Sequence, residues 1–143
     1  NMLVGSMLAG QAFANAPVGA VHALAYPLGG HFHLSHGHSN ALVLVEVLKF
    51  NAPKAKQYYA ELMQWLDPRS TGCIDGLCDL FIDHMQNHLD QSGLTLELKE
   101  LDIAEAKLPQ LAKDAMLQTR LLQNNPREMT EQDALQIYQA IYA

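Results

Sequence analysis

The sequence predicts an all-α domain of about six to seven helices. Apolar residues recur at helical spacing over most of the 143-residue chain, caps and helix-breaking Pro and Gly residues divide it into segments, and strand signals are weak apart from Leu94–Leu98 and one aliphatic run. Apolar residues make up 49% of the sequence, enough for the core of one domain spanning 1–143.

From Met2 to Asn15, small and apolar residues suit a first helix packed closely on its neighbours. The same stretch could pass for a secretory leader through its Ala-Phe-Ala and Ala-Asn-Ala endings. It has no basic head, however, and Gly5, Ser6, Gly10 and Gln11 interrupt an apolar run too short to cross a membrane. Pro17 is expected in the first turn of a second helix that runs through His22 and ends at Pro27, Gly29 and Gly30. The run Asn40–Phe50 is ambiguous, with a local preference for buried strand over buried helix. Pro53 opens a stretch with Tyr58, Tyr59, Leu62, Met63 and Leu66 on one face, ending before Pro68. Thr71 is expected to begin the next helix, which carries Ile74 to Leu89 and stops at Gly93. Leu108–Leu122 forms a further amphipathic helix ending at Asn124-Asn125-Pro126, and Thr130 with Asp133 caps the last one.

A net charge of −6, from 15 acidic and 9 basic residues, excludes an extended phosphate-binding surface and hence a nucleic-acid partner. The two cysteines, Cys73 and Cys78, would lie roughly 140° apart on a helix, a poor arrangement for a disulfide. A reducing, cytoplasmic compartment follows as the expectation.

Seven histidines are present, five of them within 22–38, which points to metal binding or acid–base chemistry. On one unbroken helix His22 and His36 would be about 21 Å apart. A reversal at Pro27–Gly30 would let them meet, with Ser35–Gly37 opening the next helix. Two isolated histidines do not by themselves require a shared ion. His84 and His88 form a second pair, one helical turn apart. Met85 stands where a zinc-protease motif needs Glu, and Asp83 and Asp90 nearby suggest an exposed polar face with room for an adventitious ion.

The stretch NAPVGAVHALAYPLGGHFHLSHGHSNALVLVEVLKFN, Asn15 to Asn51, resembles the second signature region of iron-type (group III) alcohol dehydrogenases. Asn125-Pro126-Arg127 and Tyr138 resemble the end of the same family, so the likeness covers essentially the whole chain. It implies the C-terminal helical domain of a dehydroquinate synthase-like two-domain enzyme, and a buried helix for Asn40–Phe50. It further implies that His22 and His36 are two ligands of a catalytic Fe²⁺ or Zn²⁺, and that an Asp and a His four residues later, on a helix upstream of Asn1, supply the rest. The glycine-rich half that binds most of NAD or NADP would also lie upstream. The chain is therefore expected to be a piece, truncated on its N-terminal side, inactive alone and prone to self-association through uncovered apolar surface; the intact enzyme is expected to be a homo-oligomer. No catalytic residue beyond the metal ligands is assigned. Phe13, nine residues before His22, matches a pocket-lining aromatic. Tyr26 stands where many members carry a His near the nicotinamide, so a proton relay there is in doubt. Ser35 replaces a frequent Pro, a change for helix entry. His31 and His33 either line the pocket or serve surface or hydrogen-bonded roles, and His38 is solvated or supports a ligand. The substrate implied is an alcohol or aldehyde. The rival readings are a metal-independent, maleylacetate-reductase-like enzyme and a helical binding module without catalysis.

Overall fold

The computed structural model describes residues 1–142 and is all-helical, with seven α-helices and no strand among the described residues. They are α1 (Met2–Asn15), α2 (Ala20–Phe32), α3 (His36–Leu66), α4 (Ile74–Gln91), α5 (Leu108–Met116), α6 (Thr119–Leu122) and α7 (Glu131–Ala140). Short 3₁₀ turns at Lys99–Leu101 and Glu105–Lys107 link α4 to α5.

The 31-residue α3 is the spine of the fold. Its first half joins α2, α5 and α7 around Leu24, Leu28, Val43, Leu108, Leu111 and Tyr138. Its second half packs against α4 through Tyr59, Met63, Leu77, Phe81 and Ile82. The run Asn40–Phe50 is helix, as the family likeness implies and against its local strand preference. Facing helices on both sides bury Leu42, Val43, Val45 and Val47, and this packing outweighs β-branched propensity.

Four expected boundaries move. Pro17 precedes α2, which begins at Ala20. Thr71 is not the cap of α4: Cys73 is, its Sγ accepting from the Gly76 N–H at 3.4 Å. The run Leu108–Leu122 divides into α5 and α6 around Leu117 and Gln118. Pro53 opens no helix but lies within α3.

The largest difference concerns Pro27 and Gly29-Gly30, which do not end α2. The helix continues to Phe32, and the chain reverses at His33–Ser35: His33 adopts a left-handed conformation (φ 55°), and the Ser35 Oγ accepts from the His38 N–H at 3.4 Å to start α3. A proline inside a helix clashes with the carbonyl four residues earlier and loosens the turn before it. Both in-helix prolines are supported there by a side chain from the C-terminal segment. The Tyr138 hydroxyl donates to the Leu24 carbonyl, three residues before Pro27, at 2.6 Å. Arg127 donates to the Phe50 carbonyl, three residues before Pro53, at 2.8 Å and stacks its guanidinium 4.0 Å over the Phe50 ring. Burial pushes the Tyr138 phenol far above its usual pKa, so it remains a donor. Tyr138→Phe is expected to cost about 1–3 kcal/mol in chemical denaturation, because it strips a buried carbonyl of its donor.

Thr130 and Asp133 form the expected capping box, with Asp133 N–H donating to Thr130 Oγ1 at 3.2 Å and Thr130 N–H to Asp133 Oδ2 at 2.8 Å. Thr130→Ala should therefore lower stability by about 1 kcal/mol. At the other end, α1 buries no residue, and Met2 and Leu3 are each 88% exposed.

Candidate metal centre

The hairpin of α2 and α3 brings His22 and His36 together, across the turn at His33–Ser35 rather than by a break at Pro27. Their ring centres lie 5.1 Å apart with planes tilted by 55°. Two imidazoles bound to one tetrahedral ion at about 2.0–2.1 Å per nitrogen have ring centres about 5 Å apart, so the spacing fits joint ligation of one ion. His22 is half-buried and His36 exposed. Burial, and then the neighbouring His36, lowers the His22 pKa from its ordinary 6.5, favouring the neutral ring that ligates metal.

Asn40, one turn beyond His36, places its amide nitrogen 3.2 Å from the His36 Nε2, and its Oδ1 has no hydrogen-bond partner among the described residues. As placed, the amide donates to the Nε2 lone pair and holds the ring, and an ion taken up at that nitrogen would displace it. The i,i+4 spacing of His36 and Asn40 is the signal from which this contact was legible. Among the described residues, no three His, Cys, Asp or Glu side chains converge as a metal cage. The donor set fits half of a catalytic site, which takes at least three protein ligands.

Tyr26 links the pair to a groove of about 420 Å³: its ring centre is 6.2 Å from that of His36, and it lines the groove with Phe13, Pro17, Val18, Arg120 and Leu121. Phe13 and Tyr26 therefore share one apolar concavity beside the histidines, and both are exposed to it.

The remaining histidines of the rich segment have other work. The His31 Nε2 meets Asp114 Oδ2 at 2.7 Å and ties the end of α2 to α5, while Gln110 donates to the same carboxylate at 2.8 Å. The Gln110 hydrogen bond, then that of His31, holds the Asp114 pKa below the usual carboxylate range. His33 is the left-handed cap of α2. His38 donates from Nε2 to the Thr95 carbonyl at 2.6 Å, joining α3 to the segment after α4.

A polar lock that no local pattern reveals fixes the hairpin from behind. Asn51 and Asn125 exchange amide hydrogen bonds at 2.9 and 2.7 Å; Asn125 Oδ1 also accepts from the Ala20 N–H at 3.3 Å, and its Nδ2 donates to the Arg127 carbonyl at 2.6 Å. The start of α2, the middle of α3 and the loop before α7 are thus held at one point.

A helical domain presenting two converging histidines beside an apolar groove has the form of the C-terminal half of a two-domain, iron-type dehydrogenase. The sequence model described as "Fe-containing alcohol dehydrogenase family, C-terminal" matches residues 1–142. The chain belongs to that family. Among curated relatives it is 37% identical to long-chain-alcohol dehydrogenase 1 of Geobacillus thermodenitrificans, over 100% of this chain and 36% of that protein. It is 32% identical to the 4-hydroxybutyrate dehydrogenase of Clostridium kluyveri, over 99% of this chain and 38% of that one. Among solved structures, a 1,3-propanediol oxidoreductase superposes with a TM-score of 0.89 at 30% identity, covering 95% of this chain and 36% of that one. An alcohol dehydrogenase from Oenococcus oeni gives 0.86, also at 30% identity. The chain thus spans little more than a third of these relatives. No helix among the described residues is long and apolar enough to cross a membrane.

Proposed function

We propose that this chain is the helical, metal-holding part of an NAD(P)-dependent alcohol dehydrogenase acting on an alcohol or aldehyde. The observation that carries the reading is the 5.1 Å approach of the His22 and His36 rings, with Tyr26 standing between His36 and the groove it lines with Phe13. His22 and His36 hold a divalent ion, Fe²⁺ or Zn²⁺, jointly with ligands from the upstream part of the protein, where the nucleotide is bound. When bound, the ion would supply Lewis-acid chemistry at the substrate oxygen held beside His22 and His36, and a nicotinamide would supply the hydride chemistry. The apolar walls at Phe13 and Tyr26 seat the carbon chain of the substrate and exclude water from the reacting end. The Tyr26 hydroxyl can donate a hydrogen bond to a bound oxygen.

The test is metal analysis of the full-length protein with activity measured before and after chelation. About one Fe²⁺ or Zn²⁺ per chain, and activity lost on chelation and restored by one of the two ions, supports the proposal. Activity indifferent to chelator, with no bound ion, overturns it in favour of the metal-independent reading.

A further inference from the structure

Outside the groove, α4 carries a second pair of imidazoles. His84 and His88 occupy one face of the helix and share a hydrogen bond between their Nε2 atoms at 3.0 Å, which an ion would replace; ring centres lie 4.5 Å apart with planes at 90°. An ion with two cis nitrogens at about 2.0–2.1 Å and a 90° angle spans about 2.9–3.0 Å between those nitrogens and about 4.5 Å between ring centres. A tetrahedral angle widens both, to about 3.3 Å and 5 Å. Both distances in α4 match the right-angled case, whereas the 5.1 Å of His22 and His36 matches the tetrahedral one.

We propose that His84 and His88 form a second metal site, a two-histidine helical chelate for a late first-row divalent ion of octahedral or tetragonal preference, Ni²⁺ or Cu²⁺. The proposal uses neither His22 nor His36 and is independent of the catalytic reading. The pair is accessible: His88 is exposed and His84 half-buried, while Met85 between them packs against the core shared by α3 and α4. No carboxylate of the helix completes a cage. Asp83 leaves the helix about 100° round from His84, and Asp90 about 160° round from His88 and about 120° from His84; Asp90 already accepts from Gln86 at 2.7 Å. Water therefore fills the remaining positions, and imidazole selects the ion: Ni²⁺ and Cu²⁺ bind, whereas Mg²⁺ and Ca²⁺, which favour oxygen, do not.

Ni²⁺ is titrated into the full-length protein with its own metal in place, followed by calorimetry and by imidazole NMR. One additional Ni²⁺ per chain is expected, with paramagnetic broadening of both the His84 and the His88 ring signals in the wild-type protein. His84→Asn and His88→Asn should each weaken that binding at least tenfold, the double variant should be little worse than either single one, and dehydrogenase activity should not change. Unaltered Ni²⁺ affinity in the variants, loss in only one of them, or broadening confined to other histidines overturns the proposal. The NMR result on the wild-type protein decides the matter even if a variant folds poorly.

Discussion

In the full-length protein, His36→Asn is expected to abolish metal-dependent alcohol oxidation while leaving the fold intact. His36 is exposed at the first position of α3 and contributes to neither core cluster, so its loss opens no cavity. Its partner His22 would then be the last ligand from this domain, and the ion should fall from about one per chain to a small fraction of that. Lewis-acid stabilisation of a developing alkoxide is worth several kcal/mol, so kcat/KM should drop by about 10³-fold or more. His33→Asn is the control within the same segment. Asparagine tolerates the left-handed conformation that His33 adopts, and His33 touches neither His22 nor the groove, so activity should stay within about twofold. Metal retained by His36→Asn with activity within tenfold of wild type would show that the ion sits elsewhere.

The second large effect is on stability. Asn125→Ala removes the partner of Asn51, which is only 5% exposed, together with the acceptor of the Ala20 N–H and the donor to the Arg127 carbonyl. A buried amide stripped of both its bonds costs about 1–3 kcal/mol, and the orphaned backbone groups add to it, for a loss of about 2–4 kcal/mol in denaturant titration. Because the two amides bond reciprocally, the double variant Asn51→Ala/Asn125→Ala should be clearly less destabilised than the sum of the single ones. Additive losses would mean that the lock is two unrelated sites.

The helical class, the capping box at Thr130 and the pairing of His22 with His36 were all legible in the sequence. Each rests on local chemistry or on a motif whose members lie close along the chain. The Asn40–Phe50 run was not legible from pattern, because a helix buried on several sides loses the polar face that gives it a period. The roles of Pro27 and Pro53 were hidden for a different reason. Proline forbids a hydrogen bond but says nothing about whether a distant side chain will support the carbonyls nearby, and here Tyr138 and Arg127 do so from more than 70 residues away. The same distance concealed Asn125 as a partner of Asn51. The partners of His31 and His38 were hidden because a hydrogen bond to Asp114 or to the Thr95 carbonyl leaves no trace in spacing.

The dependence of α2 and α3 on residues near the end of the chain imposes an order in time. Both histidine-bearing helices are synthesised well before Tyr138, about 100 residues later than His36, and at about 5–20 residues per second that interval lasts about 5–20 s. Through most of it the Leu24 and Phe50 carbonyls lack the Tyr138 hydroxyl and the Arg127 guanidinium that meet them in the finished fold. The hairpin that pairs His22 with His36 is in this way completed by the residues made last, so on the proposed function an ion would meet a settled pair only after α7 has docked.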